Sequence, residues 1–559
     1  MTLESSLSGR GVHAGAGAGL GGALLAAAVL ALLVLLGRRV ARALDAFAHM
    51  RKVAADIPGP PALPLVGNLL DVVAGGDDRI YANLCSLMER WGPTVRLWLG
   101  PELVVGVADP RDVEYLATSN ELIDKSPFYG VLEPLLGSGL SCLGGQEVRR
   151  HRKIVMPSLH LDILHDFLDT FQAEALRFAR RLERHADDGR DFDVAPLCVE
   201  YSLAAALQTI MSSELQDGDA EEHRAFGGVL QSAMDLFMYR VWRPWFLHDA
   251  LFRLSGRRPE YVRTMKALNG FTEGIIARKR RKLSDRRSGE GAEETTTTPT
   301  PRRRRRAFLD NILDDEAGAA LSDLELRDEV KTLLCTGSET SASTLSFVLA
   351  VLALRQDVQA KVVQELDDVF GGDASRPVTL AELPHLQYLE RVVKETLRLF
   401  PVLPFFTRRC PRDVRLPSGY TAPLGAHLTF FLPALHTCPR AWPEPRRFDP
   451  DRFLTENSCG RHPFSYLPFS AGPRNCVGQR YAMMLLKVEV ATLLRRYQIL
   501  PAVDAPGPQG SPGPQDVADL PIKVTLVIAV KGGVRIRVRR RAAAGAEASD
   551  DDVTSGPSL

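Results

Sequence analysis

At 559 residues, 45% of them hydrophobic, the chain can bury a large core, and its length alone predicts about three or four domains. A formal net charge of +1 gives no sign of a nucleic-acid binder, because no overall excess of positive charge is available to hold phosphates. Eight cysteines stand singly, at 85, 142, 198, 335, 410, 438, 459 and 476, which argues against a disulfide scaffold or structural zinc and fits a reducing compartment.

Residues 14–37 are apolar and uncharged, densest from Leu20 to Leu36. A helix that spans a bilayer needs about 20 apolar residues, so this stretch suffices. Arg38, Arg39 and Arg42 follow at once, and by the positive-inside rule the chain beyond them stays cytosolic. A cleaved signal peptide is the rival reading, but its basic residues would precede the apolar run. The expectation is a lumenal tip at 1–13, a transmembrane anchor at 14–37 and a basic, proline-rich hinge at 38–64. Within that hinge, Pro58 to Pro64 reads as a stiff extended connector. The runs Val95 to Leu99 and Leu103 to Val107, split by Gly100-Pro101, predict a β-hairpin.

The basic run from Gly144 to Lys153, taken alone, reads as a solvated surface helix. Helical patterns alternate with short loops from Leu159 to Asp285. Residues 237–246 (FMYRVWRPWF) gather aromatic and basic side chains suited either to packing or to a membrane interface. Residues 286–306, with four consecutive threonines and five consecutive arginines, cannot bury apolar surface and are predicted to form a disordered insert. Ser322, with Glu325 three residues on, predicts a capped helix start. That helix runs on through Thr336-Gly337-Ser338-Glu339-Thr340-Ser341, where glycine costs about 1 kcal/mol. Hydroxyls there can bond backbone carbonyls and open the i to i−4 ladder, unless the stretch is merely a polar interruption in a core helix.

From Leu386 to Leu399 a strong helical pattern carries Glu395 and Arg398, three apart on one face and able to pair, as many surface residues do. Residues 468–478 (PFSAGPRNCVG) place Cys476 in a glycine-punctuated loop before a helix-like run from Gln479 to Tyr497. Gly472 permits a turn closed to residues with a Cβ, and Gly478 lets a flat group approach the chain. Cys476 at a helix N-terminus, where free N–H groups favour a thiolate, could ligate a haem iron. Arg474 could reach a haem propionate. The plain alternative is an ordinary buried thiol. Val524 to Val530 and Val534 to Val538, split by Lys531-Gly532-Gly533, predict a hairpin, and 542–559 a disordered tail.

The pattern Phe469-x-x-Gly472-x-Arg474-x-Cys476-x-Gly478 resembles the haem-binding signature of the cytochromes P450. The Thr336–Ser341 stretch, Glu395-x-x-Arg398 followed by Phe400-Pro401, and Pro450-Asp451-Arg452-Phe453 resemble that family's other motifs, in its order. The run from Arg327-Asp328-Glu329-Val330 onward most resembles family 4, the fatty-acid ω-hydroxylase type. The resemblance implies a mainly α fold with a small β-rich side, forming one catalytic domain at 65–541.

It further implies haem b, with Cys476 as metal ligand and Arg474, Phe469, Arg408 and Arg152 binding the cofactor. In the family a tryptophan stands four residues before the equivalent of Arg152. Val148 is here instead, so one propionate hydrogen bond is missing or comes from another group, such as Arg149 or His151. Thr340 and Glu339 would serve dioxygen and proton delivery, and Glu395, Arg398 and Arg452 would form a buried lock. Thr336 replaces a glutamate that esterifies haem in many family-4 members, so the haem is expected to be non-covalent. Phe128, Tyr129, Leu333, Leu403, Phe405 and Phe406 would line a substrate pocket, reached by the tip of the C-terminal hairpin.

The implied function is monooxygenation of an apolar substrate, a fatty acid, similar lipid or xenobiotic, on the endoplasmic reticulum. Electrons would come from NADPH through NADPH–cytochrome P450 reductase, with cytochrome b5 as an optional partner, docking near Arg474, Arg480 and Lys487. The rivals are a reductase-independent hydroperoxide isomerase or dehydratase, and a non-catalytic haem-binding protein.

Overall fold

The computed structural model describes residues 15–211, 219–247, 249–287, 308–314, 321–503 and 514–541. The N-terminal tip, all but two residues of the 286–306 insert, and the tail at 542–559 lie outside the described residues.

Helices dominate, and they gather around one that is buried on every side. The helix Asp323–Leu354 buries most of its side chains from Leu326 to Ala353, charged Asp328, Glu329 and Lys331 among them. It is long and apolar enough to cross a membrane, yet 78% of its most apolar window is buried inside the protein, so it is a core helix. Its start is capped as expected: Ser322 Oγ accepts from Glu325 N, and Ser322 N donates to Glu325 Oε2 at 2.8 Å. The helix Ala195–Met211 lies along it, and Leu161–Asp188 packs on Gln479–Leu494. The last of these ends at Leu494, and Tyr497, expected within the helix, instead opens the strand Tyr497–Pro501.

The predicted N-terminal hairpin is present, with Thr94 opposite Val107 and Leu99 opposite Glu102. Its second strand pairs in parallel with His427–Phe431, which pairs antiparallel with Phe405–Arg409 to complete a four-stranded sheet. The C-terminal hairpin is drawn differently from the expectation. Ile522–Val524 turns back on Ile528–Val530, while Arg535–Arg540 leaves to pair with Tyr497–Pro501. The reason is local: Thr525 donates both its N–H and its hydroxyl to Val527 O, closing a turn inside a run that has no glycine or proline. Gly532 and Gly533, both at positive φ, then carry the chain into the other sheet. The expected tip, Lys531-Gly532-Gly533, does not point inward: Lys531 pairs with Asp78 at 2.7 Å with both side chains exposed. It is the strand Ile528–Val530 that meets the central helix, where Ser343 Oγ donates to Ile528 O at 2.6 Å.

The N-terminal helix, Gly15–Val53, is exposed throughout its apolar window and fits a membrane anchor. It runs through Arg38, Arg39 and Arg42, so the expected hinge begins as helix and is extended only after Asp56. Its last turns dock on the domain: Phe47 meets the ring of Trp98 at 5.2 Å, and His49 Nε2 lies 2.9 Å from Asp413.

The expected lock is buried as a unit. Arg398 donates to both Glu395 oxygens at 2.7 and 2.8 Å, and also to the carbonyls of His436, Pro445 and Arg447. Arg452 Nε stands 3.4 Å from Glu395, and its other nitrogens donate to Pro443 O and Glu444 O. Removing one partner of a buried pair costs about 3–5 kcal/mol. Arg398→Ala should lose stability on that scale and Arg452→Ala less, ranked by urea unfolding followed by tryptophan fluorescence. Equal losses, or a native-like Arg398→Ala protein, would contradict this division of roles.

Candidate active site around Cys476

The loop is shaped before it reaches the cysteine. Ser470 and Gly472 both have positive φ, and a Cβ on Gly472 would collide with the backbone of Ala117, so glycine is required there. Cys476 N donates to Phe469 O at 2.8 Å, which closes the loop. Arg152 grips Asn475 twice, donating to its main-chain oxygen at 2.8 Å and to its side-chain oxygen. A Cβ on Gly478 would meet only Cys476 Sγ, at 3.9 Å, so this glycine leaves the space beside the sulfur clear. Burial pushes the thiol above its ordinary value, against the pull of the Gly478 amide and Arg152. Cys476 is nonetheless among the exposed cysteines, so its sulfur is open to a metal ion, whose charge would favour the thiolate.

Beyond the loop lies a group of cations that form no salt bridge among the described residues, Asp124 acting on Arg474 only from a distance. Arg474 donates to the carbonyls of Ile123, Leu140 and Leu143. Arg408 donates from Nη1 to Leu116 O and Leu122 O, both at 2.8 Å, while its buried Nη2 has no partner. Burial, reinforced by Arg474 and Arg408, pushes Lys125 down to about 7. Burial likewise brings Arg408, beside Arg474, and Arg474 itself down to about 10. Among the described residues no carboxylate pairs with any of the three. Buried charges of one sign need an opposite charge. The two carboxylates of a haem would meet that need, and a thiol beside an open glycine suits its iron, so this residue set fits haem.

On the central helix, the polar stretch does not break the ladder as expected. Thr336, Thr340 and Thr344 donate their hydroxyls to the carbonyls four residues back, at 2.7–2.8 Å, and Ser338 does the same to Leu334. These bonds supplement an unbroken helix. Burial, with a smaller push from Asp235, raises Glu339 to about 7.

Other expected residues are placed elsewhere. Val148 is buried in an apolar cluster that also holds Leu135, Leu140 and Ile154, and its side chain offers no hydrogen bond. Neither proposed substitute takes over: Arg149 donates to Asn120 O, and His151 is buried 2.6 Å from Glu329 Oε1. Lys487 cannot serve as a docking residue, because it is buried and pairs with Glu390 at 2.9 Å. Arg474 is turned inward, whereas Arg480 is exposed.

Four of the six expected pocket residues divide between two apolar clusters. Phe128, Phe405 and Phe406 pack with the four-stranded sheet, and Leu333 packs with the helices around the central one. Phe128 stacks on His427 at 4.0 Å, Tyr129 lies beside Lys125, and Leu403 is 43% exposed. An open cleft of about 780 Å3, lined by residues that include Glu365, Arg376 and Tyr388, shares none of these side chains. Lys125 was not foreseen, since nothing in Asp124-Lys125-Ser126-Pro127 distinguishes it from a surface turn.

Folded Glu339 keeps a proton up to about 7, whereas an ordinary glutamate releases it near 4.5. The folded state thus binds more protons in that window, and stability falls as pH rises through it. Glu339→Gln should flatten this part of the profile when urea midpoints are compared between pH 4.5 and 7. An unchanged profile would mean that Glu339 is not desolvated.

Comparison with known proteins matches residues 57–521 to the family described as Cytochrome P450. Cytochrome P450 4g15 of Drosophila melanogaster is 30% identical over 555 residues, covering 88% of this chain and 93% of that protein. Cytochrome P450 4V2 of Rattus norvegicus is 34% identical over 489 residues, covering 86% and 89%. The fold matches a crystal structure of the cytochrome P450DA heme domain with TM-score 0.70 at 24% identity, over 87% of this chain and 98% of that one. With its cysteine loop, central helix and buried lock in one frame, the chain belongs to the cytochrome P450 family, among its family 4 members, and is a haem monooxygenase.

Proposed function

We propose that the protein inserts one oxygen atom from O2 into an apolar substrate, a fatty acid or similar lipid or a xenobiotic, using electrons from NADPH delivered by a membrane-bound reductase. The observation that carries this reading is that the central helix, which bears an acid and a hydroxyl, Glu339 and Thr340, packs against the helix Gln479–Leu494 that follows the Cys476 loop. Haem, when bound, supplies the one-electron and dioxygen chemistry that no side chain can.

The chain's own residues do the rest. Phe469 O fixes the amide of Cys476, and Arg152 clamps Asn475 beside it, so the sulfur is presented in one orientation. Arg408 and Arg474 would hold the haem carboxylates through charge-assisted hydrogen bonds. Glu339, raised to about 7, carries a proton near neutral pH and can release it, as a general acid should. Thr340 Oγ1 donates to Thr336 O, which leaves its lone pairs to accept a hydrogen bond from water. An isomerase or a non-catalytic haem protein has no task for such a pair.

The aromatic rings of Phe128, Phe405 and Phe406 suit an apolar substrate, and the preference for a fatty chain rests on the likeness to family 4. Arg38, Arg39 and Arg42 behind the anchor favour a cytosolic catalytic domain on the endoplasmic reticulum. Trp245 and Leu254, 55% and 84% exposed, support a second contact with lipid. Arg480 is the residue of the expected docking set that remains available to a reductase.

The reduced protein should give a strongly red-shifted Soret band with carbon monoxide, and oxygen uptake should require both NADPH and reductase. Glu339→Gln should keep that band while slowing product formation by about 100-fold. A normal band with hydroperoxide turnover and no use for reductase would favour the isomerase. A band typical of histidine or thiol ligation would favour the non-catalytic protein.

A further inference from the structure

We infer that Glu147, His151 and Glu325 form a binding site for a zinc-class divalent cation, at the joint between the helix Gly145–Val155 and the start of the central helix. None of the residues assigned to the haem takes part, so the site stands or falls independently of that reading.

Glu147 and His151 are four apart on the helix Gly145–Val155 and therefore share one face. Glu325 reaches the same point from the first turn of the central helix. One ligand atom from each residue, an imidazole nitrogen and two carboxylate oxygens, lies within 4.8 Å of the other two.

Two of the three are oriented by contacts that occupy their other polar atom. Glu325 Oε2 accepts from Ser322 N and Ser322 Oγ, both at 2.8 Å, while its Oε1 lies 3.4 Å from His151 Nε2. Glu329 Oε1 lies 2.6 Å from His151 Nδ1, so that nitrogen carries the proton and Nε2 presents a lone pair. A carboxylate behind an imidazole fixes the tautomer and makes the other nitrogen a stronger metal ligand. Glu329 is fully buried, and among the described residues its second oxygen has no partner. A buried anion placed there calls for a cation on the far side of the ring.

A cationic group already marks that position. Arg150 Nη2 lies 2.8 Å from Glu147 Oε2 and 2.9 Å from His151 Nε2, and it also donates to Glu325 Oε1. One nitrogen in touch with all three ligand atoms shows that they converge on a single point. The Arg150 side chain is 36% exposed and that of Glu147 57%, so the guanidinium can swing out and an ion can enter with its water. One imidazole and two carboxylates, with a fourth position open to water, suit zinc. Magnesium and calcium prefer oxygen alone and are poorer guests.

The test is equilibrium dialysis of the full-length holoenzyme against zinc, with the ligands read from zinc K-edge X-ray absorption. One ion should bind with nitrogen and oxygen neighbours only, at about 2.0–2.2 Å. Glu147→Gln and His151→Ala should lose it, and the exposed Glu147 carries the test if the buried histidine cannot be replaced. Glu329→Gln should weaken binding about tenfold or more, the effect of removing an outer-shell partner. Arg150→Ala should tighten it about fivefold, the scale of a surface ion pair. Native affinity in Glu147→Gln would overturn the inference, as would the absence of zinc from both native protein and Arg150→Ala. Sulfur neighbours at about 2.3 Å, lost in Cys459→Ser, would overturn it too, by placing the ion on an exposed thiol.

Discussion

Everything around the cysteine depends on how one guanidinium is satisfied. Arg398 is fully buried, so all of its N–H groups must find acceptors within the protein. Glu395 takes two of them, and the carbonyls of His436, Pro445 and Arg447 take the rest. Those carbonyls belong to an irregular stretch with little ladder of its own, and Asp449 N is drawn to Glu395 as well. Trp442 covers the guanidinium at 5.1 Å, and Arg461 lies on the same ring at 3.9 Å. A meander without regular hydrogen bonding is thereby given one geometry, and it leads directly into the loop that presents Cys476.

The site is assembled from elements that could not reach one another without that frame. The cysteine loop comes from one side, the central helix carries Glu339 and Thr340, and the four-stranded sheet brings Arg408 with Lys125 beside it. Arg152 joins the first of these to the helix Gly145–Val155 by gripping Asn475. The pattern of polar groups is uneven. The acid on the helix is shielded and keeps its proton, while the basic groups at the sheet edge are crowded together and lack an anion. Such an asymmetry suits a flat cofactor with a charged edge and an apolar face.

The elements that were legible in the sequence are those whose chemistry is local. Ser322 and Glu325 announced a helix start because a capping box spans only four residues, and the hairpin at 94–107 announced itself through Gly100-Pro101. The cysteine loop was readable from its glycine spacing, and the Glu395–Arg398 pair only from its place before Phe400-Pro401 and ahead of Pro450-Asp451-Arg452-Phe453. What escaped was decided by partners distant in sequence. Lys487 looked like a surface cation until Glu390, far away in the chain, was found against it. Lys125 acquires meaning only from Arg408, and the C-terminal pairing was misread because Thr525 makes a turn without any turn-forming residue. The threonines of the central helix carried a local signal with two outcomes, and packing chose the unbroken one.

The unbroken helix from Gly15 to Val53 sets a stand-off distance. From Arg38 to Phe47, where it is bolted to the domain through Phe47 and His49, it rises about 14 Å at 1.5 Å per residue. The catalytic body therefore stands on a mast, not a tether. Its height and facing relative to the lipid are counted out in helical residues, and adding one would lift the domain while turning it through roughly 100°. Which surface this enzyme shows to the bilayer is thus a matter of helical phase, settled well outside the domain that performs the chemistry.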